Sequence, residues 1–140
     1  MNSDEIDRFL RARLRDFDGV FSVDNLPKDP RLLVCNTDPS DKAGRHWIAI
    51  YIEDGRGDFF DSFGRRPTAD FERYMNCHCV LWNFNDKQLQ SIVSKFCGYY
   101  CIYFCILRSI GLDMRKIVRS FDSDTGLNDV LVHAYVCSHQ

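Results

Sequence analysis

The sequence has no long apolar run, no excess of one charge and no internal repeat. Its longest uncharged stretch, residues 96–107, is too short to span a bilayer. Its 18 lysines and arginines nearly balance 20 aspartates and glutamates, for a net charge of −2. This balance argues against a protein that mainly coats nucleic acid, although a local basic patch is compatible with it. The polar, acidic segment Met1–Glu5 predicts no secretory signal, and we expect no membrane partner.

Cysteine is plentiful, but its pattern does not suggest disulfides. The chain has seven cysteines, an odd number, and Cys35, Cys101, Cys105 and Cys137 lie in apolar segments. Free cysteine in such segments behaves as a small hydrophobic residue. We therefore expect a reducing compartment and no disulfide bonds.

The length and composition indicate one domain over residues 1–140 with an aromatic-rich core. The chain is 45% hydrophobic and 14% aromatic, and no change in composition marks a linker. Apolar spacing predicts a helix over residues 3–17, started by Asn2 with Glu5. An ordered loop over 19–30, a buried strand over 32–36 and a polar loop over 36–44 are expected next.

A hairpin is the clearest local prediction. Residues 47–52 are rich in β-branched and aromatic side chains, Glu53–Gly57 carries turn residues, and Asp58–Asp61 forms the returning strand. Further along we expect a helix over 69–75, a strand over 79–84 and a fully buried helix over 98–107. Two more helices follow, one from about Asp113 and one capped by Asp124 or Thr125. On the last helix the residues predicted to face inward are Val130, Leu131, Ala134 and Tyr135. The order of elements indicates an α+β fold.

Cys97 is the candidate nucleophile. It lies where the apolar helix begins, and the positive end of a helix dipole favours a thiolate. Gly98 beside it lets a substrate carbonyl approach the backbone closely. A buried, inert cysteine is the commoner case, and it is the interpretation for Cys101 and Cys105.

His46 and Asp61 are the candidate base and its orienting acid. His46 opens the first hairpin strand and Asp61 closes the second, so antiparallel pairing puts them at the same end of the sheet. A carboxylate there can bind one imidazole nitrogen and leave the other for sulfur. The alternatives are a surface-loop histidine and an aspartate that caps a turn.

Two further groups complete the candidates. Gln90 or Gln88 can supply an amide that stabilises an oxyanion, although either can also be a solvated loop residue. Cys77, His78 and Cys79 with Cys97 and Cys101 could be considered as zinc ligands. Their spacing fits zinc poorly, and we predict no metal.

The motifs, taken in order, resemble those of the adenovirus protease (adenain) family within the Ulp1-like cysteine proteases. The resemblance is closest to the proteases of Polinton/Maverick elements and related viruses. The stretches that carry it are Phe17–Phe21, Asp24–Pro27, Val34–Asp38, Gly44–Tyr51, Phe60–Gly64, Leu89–Ser91 and Cys97–Cys101.

The resemblance implies a papain-like, Ulp1-like fold with a mixed, largely antiparallel sheet flanked by helices and a buried helix that starts at the nucleophile. It implies His46 as base, Asp61 as acid, Cys97 as nucleophile and Gln90 rather than Gln88 as oxyanion donor. It also implies substrate-binding roles for Trp47 and Gly98. The adenovirus enzyme has glutamate at the acid position, so Asp61 agrees better with the Ulp1-like branch.

The implied activity is a cysteine endopeptidase that cuts after Gly-Gly or Gly-x and matures capsid or virion precursors of a virus or virus-like transposon. Such a protein would act as a monomer on protein substrates, in the virion and in the host nucleus or cytoplasm. No cofactor is required by the sequence, although the family makes DNA or an activating peptide a candidate. The alternatives are a protease for a ubiquitin-like modifier and an inactive binding module of the same fold.

Overall fold

The computed structural model describes residues 1–38 and 46–140. Most of the predicted loop over 36–44, and the Gly44 and Arg45 positions of the histidine motif, lie outside those residues. The described part contains five helices and five strands. In chain order they are α1 (Ser3–Arg11), β1 (Phe17–Ser22), β2 (Leu32–Asn36), β3 (Trp47–Glu53), β4 (Arg56–Phe60), α2 (Ala69–His78), β5 (Leu81–Phe84), α3 (Cys97–Ser109), α4 (Met114–Arg119) and α5 (Thr125–Ser138).

The strands form one mixed sheet in the order β1-β2-β3-β4-β5. The inner pairs β2–β3 and β3–β4 are antiparallel, whereas the outer pairs β1–β2 and β4–β5 are parallel. Every residue of β2 is buried, as are the five central residues of β3, which is typical of strands covered on both faces. The structure thus confirms the α+β class and the mixed sheet flanked by helices.

Helix α3 lies in the larger of two apolar clusters. Its residues Tyr100 and Phe104 are fully buried, and the ring of Phe104 stacks on Phe60 of β4 with centroids 4.7 Å apart. The second cluster includes Phe59 from β4 and Phe71 from α2. The predicted buried helix is confirmed, and its packing against the sheet fixes where its first residue, Cys97, lies.

Strand β1 replaces residues 19–22 of the loop predicted for 19–30, and the helix predicted for 3–17 ends early, whereas residues 23–30 lie outside any helix or strand as expected. Helix α1 stops at Arg11, and Phe17 is buried as a strand residue. Asp18 accepts hydrogen bonds from the backbone N–H groups of Arg31 and Leu32, which ties β1 to β2. Gly19, at φ +133°, forms the irregularity in this pairing. The residues of β2 that contact β1 lie 13 or more residues further along the chain, so local sequence patterns could not predict this strand.

Several local signals are confirmed. Asn2 and Glu5 form a capping box at the start of α1, and Asp113 and Asp124 cap α4 and α5. The hairpin turns through Asp54 and Gly55, which both have positive φ. No helix in residues 1–38 and 46–140 is long and apolar enough to cross a membrane.

Of the four residues predicted to face inward on α5, Tyr135 is half-buried against the larger apolar cluster as expected, but the prediction is wrong for the other three. Val130 is 65% exposed and Leu131 37%, and Ala134 is also exposed, whereas Val132 and Val136 are fully buried. The helix is apolar on several sides, so its hydrophobicity did not indicate which side packs.

Candidate active site

His46 and Asp61 meet at one end of the sheet. His46 directly precedes β3 and Asp61 directly follows β4, and the antiparallel pairing of Ala49 with Phe60 brings the two ends together. His46 Nε2 lies 2.6 Å from Asp61 Oδ1, and the two side chains are only 13% and 8% exposed. The structure therefore brings the candidate base and its candidate acid into direct hydrogen-bond contact.

Backbone contacts hold Asp61 in place from both sides. Its Oδ1 also accepts the backbone N–H of Phe63 at 2.8 Å. The side-chain amide of Asn85 accepts the N–H of Asp61 at 2.8 Å and donates to its carbonyl at 2.6 Å. Asn85 follows β5 as Asp61 follows β4, and these strands are parallel, so their ends coincide. Sequence patterns did not identify Asn85, because they do not show which strand neighbours β4.

Phe63 covers the imidazole. Its ring stacks on His46 with centroids 4.4 Å apart and an angle of 22°. The guanidinium of Arg65 lies over the Phe63 ring, 4.9 Å from its centroid. Sequence analysis did not single out Phe63, although its position two residues after Asp61 in the turn was available as a signal. The stacking limits rotation of the imidazole and reduces its contact with water.

Cys97 lies near His46. It is the first residue of α3 and is 7% exposed. His46 Nδ1 is buried without an ordinary hydrogen-bond partner, while the Cys97 side chain is close enough to alter the imidazole's titration. The structure thus shows His46 bound to Asp61, with Cys97 near enough to affect its pKa and with the second imidazole nitrogen buried and without a hydrogen-bond partner.

The pKa of His46 is raised from 6.5 to about 9. Burial acts most strongly and lowers it, but the hydrogen bond to Asp61, the nearby Cys97 side chain and the charges of both groups raise it by more. At neutral pH the imidazole therefore carries a proton. An adjacent imidazolium stabilises a thiolate, which is the nucleophilic form of cysteine.

The two candidate glutamines differ in their surroundings. Gln90 is fully buried, and its amide binds Ser62 through Oε1 and Ser94 through Nε2. Gln88 is exposed and donates to the backbone carbonyl of Gln90 at 3.0 Å. The buried and oriented amide is thus that of Gln90, which the resemblance favoured.

Trp47 and Gly98 were predicted to contact substrate, and these roles stay predictions. Trp47 is half-buried against the larger apolar cluster. A Cβ at Gly98 would lie 3.1 Å from Ile6 Cδ1 and 3.6 Å from Met1 Sδ. The absent side chain of Gly98 therefore lets α1 pack closely on α3, which is a structural reason for glycine there in addition to the predicted one.

The other cysteines have different surroundings. Burial raises the pKa of the Cys35, Cys101 and Cys105 thiols well above the ordinary range, as expected for packing residues. Cys77 and Cys137 are exposed. No cluster of three or more metal-ligating side chains occurs in the part of the chain that the structure describes.

No family model matches the chain, and no curated protein matches its sequence. Its fold is similar to two crystal structures of the ASFV pS273R protease. The first has 16% identity and a TM-score of 0.68, and covers 94% of this chain and 66% of that one. The second, the selenomethionine form, has 21% identity and a TM-score of 0.53, with coverage of 74% and 43%. The chain thus spans about two fifths to two thirds of that protease's length, and the likeness shows a shared fold.

Proposed function

We propose that this protein is a cysteine endopeptidase in which Cys97, His46 and Asp61 form the catalytic triad. The observation that carries the proposal is the buried His46, whose Nε2 binds Asp61 while its Nδ1 is buried without a hydrogen-bond partner and Cys97 lies nearby. A surface-loop histidine would be solvated and would not bind a buried carboxylate. The shared fold with the ASFV pS273R protease adds support.

The proposed roles account for each step of peptide-bond hydrolysis. The Cys97 thiolate attacks the carbonyl carbon, forming an S–C bond and an oxyanion. The Gln90 amide and the N–H of Cys97, one of the first in α3, are the donors that stabilise it. Collapse breaks the C–N bond as imidazolium His46 protonates the leaving amine. Water then attacks the acyl-enzyme, passing a proton to His46, and the restored thiolate leaves.

We further propose that the substrates are polypeptides cut after Gly-Gly or Gly-x, as the resemblance to adenain-like proteases implies. Capsid or virion precursors of a virus or virus-like transposon are the substrates expected from that resemblance. DNA or an activating peptide is a candidate cofactor for the same reason. A narrow groove beside Cys97 would admit glycine and exclude larger side chains.

The test is cleavage of a Gly-Gly reporter peptide and of capsid precursors from the same source element, with new termini mapped by mass spectrometry. We expect Cys97→Ala to abolish cleavage without unfolding the protein and His46→Ala to be nearly as severe. Cys137→Ala, which removes an exposed thiol, is the matched control and should cleave like the wild type. Turnover by Cys97→Ala would refute the assignment of the nucleophile.

A suicide probe made from a ubiquitin-like modifier separates the two substrate classes. Labelling of Cys97 by such a probe, without processing of capsid precursors, would retain the chemistry and replace the proposed substrate. If no cysteine of this protein reacts with the modifier probe and the protein does not cleave the Gly-Gly peptide or the capsid precursors, it would be a binding module of the same fold.

A further inference from the structure

Ser62 joins the two halves of the candidate site. It directly follows Asp61, and its hydroxyl donates a hydrogen bond of 2.5 Å to Oε1 of Gln90. Both residues are inside the protein, with Ser62 1% and Gln90 0% exposed. Bulk water therefore does not compete for this bond, and its loss would leave a buried amide oxygen without that donor.

The backbone holds the same two residues together independently of the hydroxyl. The carbonyl oxygen of Ser62 accepts the N–H groups of Leu89 at 2.9 Å and Gln90 at 3.0 Å. The turn after Asp61 is closed by the N–H of Gly64, which donates to the Asp61 carbonyl at 2.7 Å. Because these bonds use only the main chain, a substitution of the Ser62 side chain leaves them in place. The hydroxyl can therefore be removed as a single variable.

The opposite end of the Gln90 amide faces Ser94. Nε2 lies 3.0 Å from the Ser94 carbonyl oxygen and 3.3 Å from its Oγ. A carbonyl oxygen can only accept, so the NH₂ end of the amide must face Ser94 and the oxygen end must face Ser62. In this arrangement both amide hydrogens have acceptors at Ser94. An oxyanion donor must give up one of them, and the longer bond, to Oγ, is the weaker of the two.

We propose that Ser62 is a positioning residue that anchors the oxygen end of the Gln90 amide, so that one N–H can turn from Ser94 Oγ to the oxyanion. This inference rests on the proposed peptidase function. While the NH₂ end changes partner, the bond from Ser62 to Oε1 stays in place. The same bond withdraws electron density from the amide and makes its N–H a stronger donor. The turn after β4 thus serves both functions, with Asp61 orienting the base and Ser62 orienting the oxyanion donor.

The test compares Ser62→Ala with Ser120→Ala. Ser120 caps α4 and is a matched control, because its hydroxyl also makes hydrogen bonds, to Tyr103 and to the carbonyl of Ile117. Four quantities are measured: kcat and KM on a Gly-Gly peptide, the rate at which iodoacetamide alkylates Cys97, and the affinity for a peptide that ends in glycine aldehyde. Alkylation forms an S–C bond and expels iodide, so it needs no oxyanion donor. The aldehyde carbon forms an S–C bond with the Cys97 thiolate as its C=O π bond opens to an alkoxide oxygen, and the proton stays on His46, so the affinity for the aldehyde depends on the oxyanion donor.

We expect Ser62→Ala to lower kcat and aldehyde affinity by about 10- to 100-fold, less than the 10²- to 10³-fold typical for deletion of an oxyanion donor. KM and the alkylation rate should match those of Ser120→Ala. In a Gln90→Ala background, Ser62→Ala should cause no further loss, because the residue it positions is gone.

Three results would overturn the inference. Ser62→Ala could have the kcat and aldehyde affinity of Ser120→Ala, or it could slow the alkylation of Cys97 as much as it lowers kcat. It could also lower kcat equally in the Gln90→Ala background and in the wild type. Failure of the proposed function is distinct from these. It would appear as a wild-type protein that neither cleaves the peptide nor binds the aldehyde at Cys97, which would overturn both proposals.

Discussion

Asp61→Asn should remove most of a pH-dependent contribution to folding stability. In the folded protein the pKa of His46 rises from 6.5 to about 9, and the side chain is only 13% exposed. Since a change of one in pKa corresponds to about 1.4 kcal/mol, the rise is worth about 3 kcal/mol. Asparagine at position 61 can still accept the hydrogen bonds of His46 and Phe63, but it carries no charge to stabilise the imidazolium.

The direction of the effect follows from the raised pKa. Below pH 6.5, His46 is protonated in both the folded and unfolded chains, and the full contribution is present. It is lost as pH rises from 6.5 to about 9, where the folded protein also gives up the proton. Taken alone, His46 should therefore lower the free energy of unfolding over this window by about 3 kcal/mol. The proposed Cys97 thiolate would take up a proton on unfolding and oppose this slope, so all the proteins compared carry Cys97→Ser.

Urea unfolding followed by circular dichroism at pH 6, 7.5 and 9 measures this slope. Asp70→Asn is the control, because Asp70 pairs with Arg73 on the exposed side of α2 and does not contact His46. We expect the control to keep the slope of the Cys97→Ser protein, and Asp61→Asn to lose most of it. Equal slopes for all three proteins would refute the electrostatic account of His46.

Two glycines give further predictions. Gly64→Ala should cost more than about 2 kcal/mol, because φ is +69° and a Cβ would lie 2.4 Å from the Lys87 carbonyl carbon. Gly111→Ala, at φ +100° with nothing within 4 Å, should cost less, and equal unfolding midpoints for the two would contradict the packing argument. Gly98→Ala should destabilise the protein mildly through its 3.1 Å approach to Ile6 Cδ1, and adding Ile6→Val should restore stability. A Gly98→Ala protein of wild-type stability but raised KM would instead support the predicted contact with substrate.

The parts of the fold and site that the sequence predicts are those set by neighbours in the chain. Turn residues between two strand-forming stretches indicate a hairpin, and an antiparallel hairpin brings the residue before one strand near the residue after the other. That argument placed His46 beside Asp61, and the structure shows them in contact. The helix that begins at Cys97 is apolar on nearly every side, which was enough to predict its burial.

The parts that were missed depend on contacts distant in the chain. Strand β1 exists because it pairs with β2, and its Gly19 irregularity removes the alternating pattern. Asn85 reaches Asp61 because β5 pairs in parallel with β4 after an intervening helix. The contact of Ser62 with Gln90 spans 28 residues and involves two polar side chains that no hydrophobic pattern marks. Which strand lies beside which is decided by tertiary packing, and these three features follow from it.

The rate of iodoacetamide alkylation at each cysteine, mapped by mass spectrometry at mildly acidic pH, tests the central claim most directly. Cys97 is only 7% exposed, whereas Cys77 and Cys137 are exposed, so access alone predicts that the latter two react first. A thiolate paired with imidazolium His46 predicts the reverse order, with Cys97 fastest in the wild type and no longer fastest in His46→Ala. Faster labelling of Cys77 and Cys137 in the wild type, or a Cys97 rate unchanged by His46→Ala, would contradict the account.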